Sequence, residues 1–203
     1  MTCRIIAVAC EKGGAAKTTT AILLAQELMR HGQQVVVLDA DVSGGATTWS
    51  QMAEESGSPL PFQVITANLP KLKRARIEAM MPDGWVFIDT PPSDTAVLQA
   101  AINAADLTII PTQPGTADLV LAGETYMAAH AALILLTRVR KHTLSARNAA
   151  QELEEGNIGR FDTIISEREE IRRLYCTSRR DRLEYPVVAL ELQDVFKNIE
   201  EEK

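Results

Sequence analysis

Cysteine is scarce in this chain, three residues out of 203, at positions 3, 10 and 176. An odd and scattered set supplies neither a disulfide framework nor a C-x-x-C metal pair, and it suits a reducing compartment. Long apolar runs are also missing. No window approaches the roughly 18 apolar residues of a membrane span, and the N-terminal run "IIAVAC" is broken by Glu11 and Lys12, too soon for a signal peptide. Positive charge is not in excess: the net charge of −6 gives no overall attraction for nucleic acid, so such a partner would need a local basic cluster. A G-x-G-x-x-G fingerprint is absent, which argues against a dinucleotide-binding enzyme. Internal repeats, low-complexity tracts and a dividing linker are lacking as well. The expectation is a cytoplasmic protein with one domain over 1–203.

What is present is a regular alternation. The hydrophobic share of 46% and the charged share of 24% are those of a globular protein. The run at 4–9 is continuously apolar, as a parallel strand buried on both faces should be. Further strands are predicted at 34–40, 61–67, 85–90, 106–112, 132–139 and 161–166. Ala21, Leu24, Ala25 and Leu28 recur at helical spacing before Gly32, and 69–81, 94–104, 116–130 and 143–155 read as helices. After Pro186, Val188, Leu192, Val195 and Ile199 share one helical face. Strands separated by helix-length segments imply βαβ crossovers, so the predicted fold is α/β, a doubly wound, mostly parallel sheet with helices on both faces.

The chemistry concentrates at strand ends. "EKGGAAKTTT" follows the first strand and opens the first helix, the context that a phosphate-binding P-loop needs. Gly13 and Gly14 can take positive φ and bring backbone N–H groups close to phosphate oxygens, and the helix N-terminus adds its dipole. Lys17 would reach the β- and γ-phosphates, and Thr18 would offer its hydroxyl to Mg²⁺. The usual pattern has glycine where Ala16 stands; at the helix start, Ala16 is expected to take ordinary helical φ. Asp89 ends the run "VFID", the place of a Walker B carboxylate, and Asp39 and Asp41 end the run "VVVLDAD". Ligands of open parallel sheets bind beyond the carboxyl ends of the strands, where these residues should converge.

"KGGAAKT" resembles the deviant Walker A, K-G-G-x-G-K-[ST], of the ParA/MinD group of P-loop ATPases. "DADVSGGATTW" at 39–49 is similar to that group's D-x-D-P-Q-G-N-A-T segment, and "IDTPP" at 88–92 to its Walker B. The likeness is greatest to small plasmid-type ParA proteins, which carry no N-terminal DNA-reading domain. The resemblance implies a slow, Mg²⁺-dependent ATPase that binds ATP and ADP through Lys12, Gly13, Gly14, Ala15, Ala16, Lys17, Thr18 and Thr19. It implies a homodimer in which Lys12 contacts the partner's nucleotide, Asp41 positions the attacking water, and Thr18, Asp39 and Asp89 serve the magnesium site. Val42 and Ser43 replace the family's Pro-Gln, which bears on turnover more than on binding.

The family resemblance also implies nonspecific double-stranded DNA and a centromere-binding ParB-type adaptor as partners, hence nucleoid association. Arginine is dense at 160–182, and Arg172, Arg173, Arg179 and Arg180 are the candidate DNA contacts. Lys71, Lys73, Arg74 and Arg76 read as the outer face of a helix. Arg138, following a strand end, is placed beside the adenine base. Three alternatives keep the same loop: a MinD-like regulator, an ATPase that positions another cargo, and an ATP-binding protein with little turnover. The acidic tail "NIEEEK" argues against a membrane-bound helix of the MinD kind.

Overall fold

Period-two burial organises the sheet. The computed structural model describes residues 2–140, 142–174, 176–178 and 184–201. Strand β1 (Cys3–Val8) sends Ile6 and Val8 to one face and Ile5 and Ala7 to the other, all fully buried. Strand β4 (Gly84–Asp89) does the same with Trp85 and Phe87 against Val86 and Ile88. This two-sided burial explains why both runs are continuously apolar. With β2 (Val35–Asp39), β3 (Gln63–Thr66), β5 (Leu107–Thr112) and β6 (Ala132–Leu136) they form a six-stranded, all-parallel sheet in the order β3-β2-β4-β1-β5-β6. The loop after β1 therefore leaves the centre of the sheet, between connections that run to its two halves.

Helices cover both faces. On one side lie α1 (Lys17–Arg30), α2 (Gly45–Glu55) and α8 (Tyr185–Glu201), which share a core with Ile6, Val8, Trp85 and Phe87. On the other, α3 (Arg74–Met80) and α4 (Thr95–Ala104) enclose Ile5, Ala7, Val86 and Ile88. Helices α5 (Thr116–Ala128) and α6 (Leu144–Glu155) pack against Ile110, Ile134 and Leu136. A six-residue helix, α7 (Glu169–Leu174), precedes α8.

Several expectations change. The stretch 161–166 is not a strand: it meets β6 and its extension at isolated parallel bridges, Ile134 with Arg160 and Val139 with Ser166, and through the Ile165 N–H to the Leu136 carbonyl (2.8 Å). Between these contacts the Thr163 N–H, which would face β6 in a ladder, goes to Glu191 of α8 (3.1 Å), as does the Asp162 N–H (2.9 Å). The predicted helix over 69–81 is two pieces, a 3-10 turn at Leu69–Leu72 and then α3, divided by Lys73 in extended conformation. Helix α2 lies where the Gly-Gly and Thr-Thr pairs suppress helical propensity. Its tertiary signal is the spacing of Ala46, Trp49 and Ala53, all fully buried.

Helix α8 is fastened by Tyr185, Val188, Ala189, Leu192 and Phe196, and the Phe196 ring meets Trp85 edge-on at 4.9 Å. Edge-to-face geometry adds to the area buried. Phe196→Ala should lower the unfolding free energy by about 3 kcal/mol, read from urea denaturation of the nucleotide-free protein.

Candidate functional site

Register fixes the site before any side chain is considered. In the β2–β4 pairing Asp39 lies opposite Asp89, and in the β1–β4 pairing Asp89 lies opposite Val8, two residues before the loop that leads to α1. Two carboxylates and a phosphate-loop sequence thus leave the same edge of the sheet.

The loop is folded on itself through Lys17. Its ammonium, on a residue only 7% exposed, donates to the carbonyls of Cys10 (2.8 Å) and Lys12 (2.9 Å). Burial lowers its pKa, opposed by Cys10, Asp89 and Asp41. The hydroxyl of Thr137 donates to the Ala15 carbonyl (3.2 Å) and holds the loop from the β6 side. Helix α1 starts with no side-chain cap and no acidic residue in its first turn. Its first internal bond runs from the Thr20 N–H to the Ala16 carbonyl (2.9 Å), so the N–H groups of Lys17, Thr18 and Thr19 are available to an anion.

Two backbone expectations are corrected. Ala16 takes φ 76 and ψ 27, the left-handed region, rather than helical φ. The last loop residue must turn the chain into α1 in the conformation that glycine takes freely, and a Cβ there costs about 1–2 kcal/mol. Gly13 has no positive φ; of the two loop glycines only Gly14 (φ +75) needs one.

Asp39 is 2% exposed and fully engaged. Its Oδ2 accepts from the N–H and the hydroxyl of Thr47, both at 2.7 Å, and its Oδ1 from the Asp41 N–H at 3.3 Å. Asp41 in turn accepts from the Ser43 N–H (2.8 Å), and Val42 between them is wholly exposed. Asp89 is the opposite case, completely buried with both carboxylate oxygens lacking a hydrogen-bond partner of good geometry. Burial raises its pKa to about 7; the neighbouring Thr18 hydroxyl and Lys17 pull it down, and Asp39 and Asp41 push it up. A desolvated carboxylate beside a second one is a place for a cation. Among the described residues no group of three His, Cys, Asp or Glu side chains could hold a metal alone. Two carboxylates and the Thr18 hydroxyl suit Mg²⁺, which keeps several waters and is held jointly with phosphate oxygens.

Lys12 forms an ion pair with Asp118, in the first turn of α5 of the same chain, with side chains 37% and 10% exposed. Arg138, at φ 50, faces a cavity of about 370 Å³ that is also lined by Ala16, Thr19, Ile165, Ile171 and Tyr185. The Tyr185 hydroxyl shares a hydrogen bond with Thr20 (3.2 Å), and burial pushes its pKa up to about 12. The cavity adjoins the end of the phosphate loop and has the volume of a nucleoside pocket. Asp118, Thr47 and Tyr185 were not singled out by the sequence. Only the aspartate in the first turn of a predicted helix carried a signal.

The candidate DNA contacts do not come together as a described surface. Arg173, on α7, pairs with Glu169 at 3.0 Å, both highly exposed, and Arg172 belongs to the same helix. Arg179 and Arg180 lie outside the described residues. Lys73 and Arg76 are exposed, as expected of an outer face, and Arg74 pairs with Glu78 and Asp106.

Comparison with known proteins adds three findings. The family described as "AAA domain" matches residues 3–83. The chain is 36% identical to the maintenance of carboxysome distribution protein A of Gloeobacter kilaueensis, over 80% of this chain and 76% of that protein. It is 34% identical to the chromosome-partitioning ATPase Soj of Thermus thermophilus, over 54% of this chain and 55% of that one, so it spans about half of that relative. Among solved structures, apo McdA of Cyanthece superposes with a TM-score of 0.74 at 19% identity, covering 94% of this chain and 98% of its own, a likeness of fold.

Two outcomes follow from this geometry. Ala16→Gly should raise the unfolding free energy by about 1 kcal/mol, the relief of the left-handed alanine exceeding the added chain entropy. Its readout is urea denaturation without nucleotide. Asp89 keeps its proton in the folded state between the ordinary carboxyl value of 3.8 and about 7, while the unfolded chain has released it. Stability contributed by this group therefore falls as pH rises through that window in the absence of a divalent cation. Asp89→Asn should flatten that part of the pH–stability curve and leave the protein more stable at pH 8.

Proposed function

The chain belongs to the ParA-type family of P-loop ATPases, and we propose that ATP joins two copies of it into a dimer that binds nonspecific double-stranded DNA. Hydrolysis, slow alone and stimulated by an adaptor of the ParB kind, would then release it. The observation that carries this reading is the convergence at one sheet edge of Lys17, Thr18, Asp39 and the orphaned Asp89. ATP places its phosphates on the N–H groups of the loop and the start of α1, with Lys17 turning from the Cys10 and Lys12 carbonyls to the phosphates. The cavity beside Ala16 and Thr19 takes the base, with Arg138 at its rim. Thr18 and Asp89 would hold Mg²⁺, which would supply charge neutralisation to the bound phosphates. Asp39, fixed by Thr47, supports that site, and Asp41 orients the attacking water.

Lys12 gives the dimer its dependence on ATP. In one copy its charge is satisfied by Asp118. A triphosphate presented by a second copy offers more negative charge than one carboxylate, so transfer of Lys12 across the seam favours the dimer only in the ATP state. Turnover is slow because the water must be placed by a loop in which Val42 and Ser43 replace Pro-Gln. One relative, matched over 76% of its own length, is a carboxysome distribution protein. A second reading therefore keeps this engine and the nucleoid DNA track while the adaptor sits on a protein cargo rather than a plasmid site. No helix among the described residues is long and apolar enough to cross a membrane.

Co-sedimentation with nonspecific duplex DNA, measured with bound nucleotide in ATP, ADP or neither, tests the reading. DNA should pellet the protein only with ATP and Mg²⁺, and the bound fraction should fall steeply with salt. Lys12→Ala should retain ATP within about threefold in affinity, roughly 0.6 kcal/mol, and lose the DNA-bound fraction. DNA binding that ignores nucleotide, or ATP binding without any DNA binding, contradicts it.

A further inference from the structure

Helix α2 joins two parts of the molecule that the proposed function treats separately. Its N-terminal end is built into the cation site. Thr47 holds Asp39 through two hydrogen bonds of 2.7 Å. Gly45 approaches Thr18 so closely that a Cβ there would lie 3.2 Å from the Thr18 hydroxyl. Its middle, at Trp49 and Met52, is tied to the chain after α7. The indole N–H of Trp49 donates to the Thr177 carbonyl at 3.0 Å, and the Cys176 thiol meets the Met52 sulfur at 3.2 Å. Ser58, three residues beyond the helix, hydrogen-bonds Ser178. Trp49 and Met52 stand about 3 and 8 Å beyond Thr47 along the helix axis, so one helix carries both the Asp39 clamp and the contacts to the segment that follows the arginine-bearing α7.

Trp49 is fully buried, yet its polar edge finds its acceptor on a loop 128 residues away in sequence. A buried indole N–H must find an acceptor, and here it finds one on the chain after α7, which fixes that segment to α2. Cys176 is held at φ 64, a conformation that a non-glycine residue keeps only when its surroundings over-determine it. Its contact with α2 is one such constraint.

We infer that α2 is a rigid transmitter that makes the conformation of segment 169–178 depend on whether the Thr18–Asp39 site is filled. The inference rests on the proposed nucleotide site and adds a route by which its state reaches the arginines. When phosphate and cation engage Thr18, the contact with Gly45 and the Thr47–Asp39 clamp shift the start of the helix. A packed helix moves as one body, so it carries Thr177 and Cys176 with it through Trp49 and Met52. Coupling of this kind needs two arrangements of one element that both sites can bias, and α2 has a physical grip on each.

Hydrogen–deuterium exchange of peptides spanning 169–178 tests this on the full chain, comparing a non-hydrolysable ATP analogue with ADP, both with Mg²⁺ and at saturation. The analogue should change exchange in this segment at least threefold. Trp49→Phe, which keeps an aromatic ring and removes the N–H, should abolish the difference while nucleotide affinity stays within twofold. Ser58→Ala, outside the core, should reduce it by about half and remains decisive if Trp49→Phe fails to fold. A segment indifferent to saturating nucleotide, or a wild-type response in Ser58→Ala together with any folded Trp49→Phe protein, overturns the inference. Failure of the wild type to bind the analogue overturns the proposed function itself, and the coupling with it. A protein that binds nucleotide and shows the exchange change but ignores DNA contradicts only the DNA reading.

Discussion

Two carboxylates held side by side in a dry place are the constraint from which the rest of the site follows. Parallel pairing of β2 with β4 sets Asp39 beside Asp89 at the end of the sheet. The two do not share the burden equally. Asp39 is satisfied locally by hydrogen bonds from Thr47 and the Asp41 N–H, whereas the oxygens of Asp89 find no hydrogen-bond partner of good geometry and burial pushes its pKa up to about 7. Such an arrangement works against the folded protein unless a cation completes it. The same edge carries the loop that presents N–H groups and Lys17 to an anion, so a metal-bound phosphate satisfies both demands at once.

The loop shows what the fold requires of its sequence. At the junction with α1 the chain must pass through the left-handed region, and here alanine does so where glycine is customary. The strain is local and of the order of a single hydrogen bond, small beside the core that α1 shares with α8 and the sheet. Alanine therefore leaves the architecture in place and puts a methyl group beside the cavity that Ala16 lines. Lys12 and Asp118 form a second balanced pair, with the lysine partly exposed and the aspartate buried.

Much of this was legible in the sequence. Six of the seven predicted strands exist because continuous apolar runs bounded by turn residues have few other solutions, and the aspartates at their ends converge because parallel strands end together. The seventh failed for a reason outside its own sequence, since Glu191 takes the Thr163 N–H that would have faced β6. Helix α2 was hidden by Gly44, Gly45, Thr47 and Thr48, whose propensities oppose the packing of Ala46, Trp49 and Ala53. The backbone of Ala16 was misread because residue type suggests a helical alanine and only the turn into α1 shows otherwise. Asp118 and Tyr185 became functional candidates only when the fold brought them to Lys12 and Thr20.

The central claim is that the triphosphate, held at the Asp39–Asp89 edge, creates a dimer through Lys12. Sedimentation equilibrium tests it most directly, at protein concentrations in the micromolar range with Mg²⁺ throughout. The 22.2 kDa chain should sediment as one copy in ADP and at twice that mass with a non-hydrolysable ATP analogue. A single-copy mass with the analogue demonstrably bound would contradict it.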